Sequence, residues 1–298
     1  MHLQNKNYKF FLEYFNKHYA DILTKYIHDS QPYIKEAIIY SLQNGKRLRP
    51  IIILSMCNSI CKDIQRGLEV ALAVELIHTA TLIIDDLPSM DNDTERRNQP
   101  SFHIKYSIFN SNIISMIMIN IAIKLIHDSF KKYKMEKNLR YLTKNISHNL
   151  GIVGLSGGQL IDLTPFSEFS LKNGTLEEKI DLLIHMKTTS LFEISFVAGY
   201  LLCEEYDETK LSLICKLSKN FGLSFQIYDD FQDIEQDKLR IDNNLFDPNY
   251  INNFGISFSK KIFNENLNSF IQYMKSLDLF TEEIIEICFK LTSKLKQF

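Results

Sequence analysis

The sequence predicts an all-α fold, read as a single domain over residues 1–298. Three observations carry that expectation. Apolar residues recur with the 3.6-residue period of a helix along most of the chain, and alternating, strand-like stretches are few. Helix-breaking residues are scarce, with 6 Pro and 10 Gly, and no Ser/Gly/Pro-rich or single-charge block marks a linker. The punctuation that does occur falls between the periodic segments.

Helices are expected over 7–27 and 32–43, the second stopped by Asn44-Gly45. Pro50 sits in the first turn of a third, 48–61, where the missing N–H has no helical partner to lose. The fourth, 67–87, is apolar almost all round between 68 and 84, so it is central, and Pro88 ends it. Period alone places helices over 101–130 and 136–152. Within the first of these, the run from Ile113 to Ile126 is short for a membrane span and holds Asn120 and Lys124, so a buried helix is expected rather than an integral membrane segment. A short helix over 154–163 is closed by Pro165. A long one over 176–203 opens with Thr175 before Glu177 and Glu178, an acidic first turn that suits the positive end of the helix dipole. The next, 207–235, is apolar through 221–231. Pro248 breaks the chain before 257–275, and Thr281 followed by Glu282 and Glu283 starts 281–296. No repeat recurs at a solenoid period.

At 45% hydrophobic the chain can bury a substantial core. A net charge of −2 argues for neither nucleic acid nor an anionic membrane as partner. Of the 5 cysteines only Cys57 and Cys61 are close, at helical i,i+4 spacing, with no second pair to complete a zinc site. Buried free thiols in a reducing compartment are expected. Lys6, Lys9 and Glu13 interrupt any signal-peptide core, so the expected location is the cytoplasm.

Two acid clusters close the apolar helices. Asp85-Asp86-Leu87-Pro88-Ser89-Met90-Asp91-Asn92-Asp93, followed by Arg96-Arg97, ends the first, and Asp229-Asp230-Phe231-Gln232-Asp233 ends the second. Carboxylates at this density repel one another unless cations lie between them. Hard oxygen donors suit Mg²⁺, which binds through a few carboxylates together with substrate phosphates. Asp229 and Asp233 are i,i+4, with Gln226 one turn earlier on the same face. By themselves these residues make either a metal and phosphate site or a solvated acidic helix end. Pro88 forbids a regular helix between Asp85 and Asp91. A bulged turn that folds Asp91 back to Asp85 makes a metal site; an open acidic loop is the alternative. Upstream, Gly45-Lys46-Arg47-Leu48-Arg49-Pro50 places three cations at a helix start, where backbone N–H groups add to anion affinity, or else forms a solvated basic turn. His78, seven residues before Asp85, lies on the face leading to the carboxylates or is a satisfied core histidine. Lys187-Thr188 carries no signal by itself. Gly157-Gly158-Gln159 with Asp162 suggests close helix contact and inward polar groups. Central helices that end in carboxylates point to an apolar tunnel with a charged mouth, and to a diphosphate substrate.

In this order and together, the motifs resemble the trans-isoprenyl diphosphate synthases, the all-α polyprenyl synthetase family. The resemblance runs from Asn44 to Asp233 and rests on Gly-Lys-Arg-x-Arg-Pro, the first aspartate-rich motif with its Arg-Arg, Gly-Gly-Gln, Lys-Thr, and Phe-Gln-x-x-Asp-Asp-x-x-Asp. It implies a homodimeric, Mg²⁺-dependent prenyltransferase, with three ions per site, that condenses an allylic diphosphate with isopentenyl diphosphate head to tail. By the same resemblance Asp85, Asp91 and Asp229 are direct metal ligands, supported by Asp86, Asp93, Asp230 and Asp233. Arg96, Lys187, Thr188 and Gln226 hold the allylic diphosphate, and Lys46, Arg49, His78 and Arg97 the isopentenyl diphosphate. That assignment suits the chemistry. Ionisation of the allylic C–O bond puts negative charge on pyrophosphate and positive charge on carbon, and cations beside the leaving group stabilise it as it forms.

The chain departs from the family pattern at Asn44, where a Gly is usual, and at Asn98-Gln99, where Gly-Lys is usual. The usual Gly-Glu and following Asp after His103 are absent. After Asp233 it offers Lys238 and Arg240, then a lysine-free stretch from Asp242 to Gly255, in place of two phosphate-binding lysines. The last departure keeps a noncatalytic regulatory subunit open as an alternative. A terpene cyclase fits less well, because Asp229-Asp230-x-x-Asp233 and the Lys46/Arg49 turn are both present. For product length, the family places a bulky aromatic five residues before the first Asp where growth stops at fifteen carbons; here that residue is Ala80. Ile77, Ala80, Thr81 and Ile84 fall on one broad side of the helix, with Ile77 and the Met116/Met118 segment as the expected floor. Geranylgeranyl diphosphate is the expected product, with a twenty-five-carbon or longer product, or farnesyl diphosphate, as alternatives.

Overall fold

The computed structural model describes residues 7–28, 30–164, 174–232 and 248–295. It is all-α, as expected. The helices are α1 (Tyr8–Tyr26), α2 (Pro32–Leu42), α3 (Leu48–Ile60), α4 (Leu68–Asp85), α5 (Phe102–Tyr106), α6 (Ile108–Lys132), α7 (Glu136–Leu150), α8 (Leu155–Leu163), α9 (Leu176–Ile184), α10 (Ser190–Cys203), α11 (Glu208–Gln232), α12 (Tyr250–Ser276) and α13 (Glu282–Leu295). A 3-10 turn, Ile64–Gly67, leads into α4, and a π-helical turn, His185–Thr189, joins α9 to α10. Among the described residues the strands are β1 (Glu95–Arg96) and β2 (Gln99–Pro100), an antiparallel hairpin.

Local chemistry explains most boundaries. Thr175 and Glu178 form a reciprocal capping box at the start of α9. The Asn249 side chain accepts from the first N–H groups of α12. Asn44, not Gly45, takes the left-handed conformation after α2, with φ 57°, because Asn tolerates that region through local hydrogen bonding. The expected helix 101–130 is split at Ser107, whose φ of 90° ends α5 and whose side chain caps α6. α12 begins at Tyr250, earlier than expected, and is interrupted at Gly255 (φ 77°, ψ 167°). Pro165 and the expected end of the helix 207–235 lie outside the described residues.

The chain divides into two compact units, one of Met1–Leu139 with Ala198–Glu205 and one of Arg140–Val197 with Tyr206–Phe298. In the first, α4 packs on α6, α3, α1 and α2. Its residues Val70, Ala71, Leu72, Ala73, Val74 and Leu76 are fully buried, and removal of apolar surface from water is what holds the helix at the centre. In the second unit α11 packs on α12 and on the π turn. Phe192 meets Phe221 edge-to-face at 4.9 Å, and Phe270 lies 4.9 Å from Phe221 on the other side; aromatic pairs add about 0.5–1.5 kcal/mol each beyond their buried area.

Two segments, Ile64–Asp85 and Ile108–Lys132, are long and apolar enough to cross a membrane by length and composition. The first is 72% buried within the protein, so its apolarity serves the core. α6 corrects the expectation of a wholly buried helix. Ile114, Met118, Ala122 and Leu125 face inward, whereas Phe109, Ile113, Met116 and Ile123 are exposed. Met116, at 61% exposure, therefore does not face the interior as expected, whereas Met118 is fully buried.

Candidate active site

The first acid motif is a bulged turn rather than an open loop. The Asp91 N–H donates to the Asp85 carbonyl at 2.9 Å, and the Asn92 N–H to the Leu87 carbonyl at 3.0 Å. Asn92 adopts φ 53°, another left-handed position filled by Asn. The chain thus returns Asp91 to the end of α4, beside Asp85. Asp86 turns inward and is almost fully buried. Arg96 reaches it from the hairpin, with Nε 2.8 Å and Nη2 in close contact with Oδ1, and also holds Asp93 Oδ2 at 2.8 Å. Burial opposes the Arg96 charge, yet Asp86 and Asp93 outweigh it and its pKa is raised. For Asp86 burial wins over Arg96, and the carboxyl pKa is also raised. The hairpin turn that aims Arg96 is Arg97-Asn98, both at positive φ (56° and 61°). That is the backbone of a tight type I′ turn, so Asn98 replaces the usual Gly without loss of the turn.

The basic turn separates its cations. Arg47 has φ 57° and points into the first unit, while Lys46 is exposed and Arg49 half-buried. Arg47 Nη1 lies 2.5 Å from Glu75 Oε1, Nη2 donates to the Leu42 carbonyl, and the guanidinium rests over the rings of Phe15 and Tyr19 at 5.7 and 5.2 Å. Gly45 makes room for this: a Cβ there would sit 2.5 Å from Arg47 Nη1. Arg97 Nη2 approaches Glu75 Oε1 at 3.7 Å and its Nη1 donates to the Ser41 carbonyl at 3.3 Å. Arg49 Nη1 lies 3.3 Å from His78 Nε2. Burial, then Arg49, Arg97, Arg47 and Arg96, hold the His78 pKa well below its ordinary value. The imidazole is therefore neutral at pH 7, accepts from Arg49 through Nε2, and carries its proton on Nδ1, a buried atom with no hydrogen-bond partner in this structure. Lys46, Arg49, His78 and Arg97 are all placed within the first unit, at the start of α3, on α4 and on the hairpin.

A cavity of about 30 Å³, lined by Ser41, Thr79, Asp86, Arg96, Arg97 and Gln99 among others, separates the hairpin from α4. It is large enough for a water, and Thr79 Oγ1, buried without a partner, supplies one polar wall.

In the second unit the π turn carries Lys187 and Thr188. Both α8 and α11 pack on this turn. A Cβ on Gly158 would lie 2.8 Å from Met186 Cβ, and one on Gly222 would strike Thr189. Lys187 Nζ pairs with Asp162 Oδ2 of α8. Thr188 Oγ1 donates to Gln226 Oε1 at 2.6 Å, and Gln226 Nε2 donates to Asp230 Oδ1 at 2.9 Å. The Tyr250 N–H donates to Asp230 Oδ2 at 2.9 Å, and the Tyr250 hydroxyl to Asp181 Oδ1. Asp230 is thereby fixed from two directions. Thr188, Gln226 and Asp230 form one chain of hydrogen bonds, and Asp229 stands beside it at the end of α11. Asp233, Lys238 and Arg240 lie outside the described residues.

Carboxylate oxygens in both motifs are hard donors of the kind that Mg²⁺ prefers. In the first unit Arg96 orients Asp86 and Asp93, and in the second Gln226 and the Tyr250 N–H orient Asp230. Among the described residues no three His, Cys, Asp or Glu side chains are gathered as a ready-made metal cluster. Three residues with structural roles here were overlooked in the sequence, Glu75, Asp181 and Tyr250, and Arg47, read as one of three cations at a helix start, is instead paired with Glu75. Glu75 had a signal, a carboxylate in the middle of an otherwise apolar helix, which demands a buried cation. Tyr250 had none, because its partner Asp181 is distant along the chain.

The family model described as Polyprenyl synthetase matches residues 31–247. The chain is 34% identical over 216 residues to the geranylgeranyl diphosphate synthase of Cyanophora paradoxa, covering 72% of this chain and 70% of that one. It is 35% identical over 210 residues to the farnesyl diphosphate synthase of Bacillus subtilis (strain 168), covering 70% of this chain and 69% of that one. The geranyltransferase of Helicobacter pylori, solved with magnesium and isoprenyl diphosphate, shares the fold with a TM-score of 0.74 over 100% of both chains at 24% identity.

Proposed function

Because this chain belongs to the polyprenyl synthetase family and is a prenyltransferase, we propose that it condenses isopentenyl diphosphate with allylic diphosphates and stops at geranylgeranyl diphosphate. The observation that carries the product length is Ala80, a small and fully buried residue five positions before Asp85 on α4. The C. paradoxa relative bears the name of a geranylgeranyl diphosphate synthase. Farnesyl diphosphate is the second reading, since the B. subtilis relative makes that product by name at similar identity. The family match enters both units, which supports reading 1–298 as one polyprenyl synthetase domain.

In this reading Asp85, Asp91 and Asp229 hold the metal, and Asp86, Asp93, Asp230 and Asp233 support them. Mg²⁺, three ions per site, supplies positive charge to the diphosphate when bound. Arg96, Lys187, Thr188 and Gln226 hold the allylic diphosphate, and Lys46, Arg49, His78 and Arg97 the isopentenyl diphosphate. Arg49 donates to the neutral His78. Cationic side chains stabilise the pyrophosphate as the C–O bond breaks. Fixing both substrates places the isopentenyl double bond against the allylic carbon. Exclusion of water protects the cation from quenching. The leaving pyrophosphate takes the proton, so no side chain serves as general base.

The test is incubation of the purified protein with labelled isopentenyl diphosphate and each allylic primer, with and without Mg²⁺, followed by chain-length analysis. Geranylgeranyl diphosphate as the Mg²⁺-dependent end point is expected; farnesyl diphosphate as the end point overturns the reading. We also infer a homodimer, supported by the exposed Phe109, Ile113, Met116 and Ile123 at heptad-like spacing on α6. A fully active monomer in light scattering at micromolar concentration removes that inference. Five free cysteines and a family of soluble enzymes support a cytoplasmic location.

A further inference from the structure

Three sulfurs gather at the C-terminal end of α3, all within the first unit. Cys57 lies inside the helix and is buried, Cys61 is its capping residue, and Cys203 is the last residue of α10. The two outer cysteines are only half-buried, as is Cys215, which corrects the expectation of buried thiols. Cys61 Sγ lies 2.7 Å from Cys203 Sγ, closer than sulfurs that merely pack. Cys61 Sγ is also 3.2 Å from the Cys57 carbonyl, and Cys57 Sγ is 4.0 Å from that of Gly199. Arg66 fixes the neighbouring backbone by donating from Nε to the Leu202 carbonyl at 2.7 Å. Prenyl transfer uses none of these residues.

We propose that Cys61 and Cys203 form an oxidative modification site, which a peroxide closes to an intramolecular disulfide between the end of α3 and the end of α10. The Cys61 thiolate attacks the O–O bond of hydrogen peroxide. An S–O bond forms, hydroxide leaves and is protonated to water, and Cys61 becomes a sulfenic acid. The Cys203 thiolate then attacks that sulfur. The S–S bond forms, the S–O bond breaks, and the hydroxide released takes up the thiol proton as a second water. Two thiols are oxidised and one peroxide is reduced. Cys61 is the attacking residue because its pKa is lowered to about 6. Its hydrogen bond with Cys57 is the main cause, opposed by burial and reinforced by Cys203, the Asp63 backbone and Arg66. Cys57 is pushed the other way, by its contacts with Cys203 and Cys61 and by burial, and stays a thiol. An accessible, low-pKa cysteine beside a resolving cysteine is the arrangement that oxidises reversibly.

The test treats the reduced, full-length protein with hydrogen peroxide, alkylates the remaining thiols and maps linked peptides under non-reducing conditions. A Cys61–Cys203 peptide is expected, reversed by dithiothreitol. Because the two residues are 142 apart in sequence, the bond restricts the unfolded chain and should raise Tm by about 4 °C or more. In Cys203→Ser, dimedone should trap a sulfenic acid at Cys61. The proposal is overturned if folded wild-type protein consumes peroxide without a Cys61–Cys203 link, if Cys57 or a second chain takes either position, or if folded Cys203→Ser is trapped at another cysteine.

Discussion

Glu75 Oε1 accepts from Arg47 Nη1 at 2.5 Å, with the two side chains only 2% and 3% exposed. The pair anchors the start of α3 to the middle of α4, and so sets where Lys46 and Arg49 stand. Losing one partner strands a buried charge. Glu75→Ala should cost about 3–5 kcal/mol of unfolding free energy in urea. Gly45→Ala, which pushes a Cβ at the same guanidinium, should cost about 1–3 kcal/mol and raise KM for isopentenyl diphosphate more than for the allylic primer. An unchanged urea midpoint in both variants would show that the pair is not an anchor.

Asp85→Ala and Asp229→Ala should each lower kcat by at least about 10²–10³-fold with the far-UV helical signal intact. The contacts they remove strengthen as charge develops on the leaving group, so kcat suffers more than binding. Near-normal turnover by either folded variant places the metal elsewhere.

His78 should impose a pH dependence. Its folded pKa is depressed below the unfolded value of about 6.5. The unfolded chain then takes up the proton first as pH falls. Stability from this residue is full above about pH 6.5 and is lost as pH drops towards the depressed folded value. Between pH ~7.5 and ~5.5, Tm should fall more in the wild type than in His78→Gln. Parallel Tm–pH curves would contradict the assignment.

Ala80→Phe should shorten the main product towards farnesyl diphosphate. Because Ala80 is fully buried, the larger ring also has to be accommodated, at about 1–3 kcal/mol of stability, so Tm is measured beside the product distribution. A folded variant with the wild-type chain length would show that the growing tail does not pass this face.

Much of this was legible in the sequence for physical reasons. Paired carboxylates at the ends of apolar helices stand out because burial and charge conflict there. Pro88 excluded a regular helix between Asp85 and Asp91 but left a bulged turn and an open loop both possible; the Asp91 N–H to Asp85 carbonyl bond decides for the turn. Other features resisted. Ser107 breaks a helix with a positive φ that its residue type does not advertise. The π turn at His185–Thr189 has ordinary helical composition, and Gly158 and Gly222, which approach it closely, are far apart in sequence. In Gly45–Pro50 the sequence displays three equivalent cations; only the left-handed φ of Arg47 turns one of them inward.

The allotment of Ala198–Glu205 to the first unit bears on how the chain is made. Vectorial synthesis completes 1–139 early, yet the segment that seats Gly199 against Met56, and Cys203 against Cys61, emerges only after all of 140–197. Such long-range closure is slow relative to local helix formation. A ribosome-bound chain ending before residue 198 should therefore leave Met56 and its neighbours without their cover, a stage at which chaperones have an apolar surface to hold.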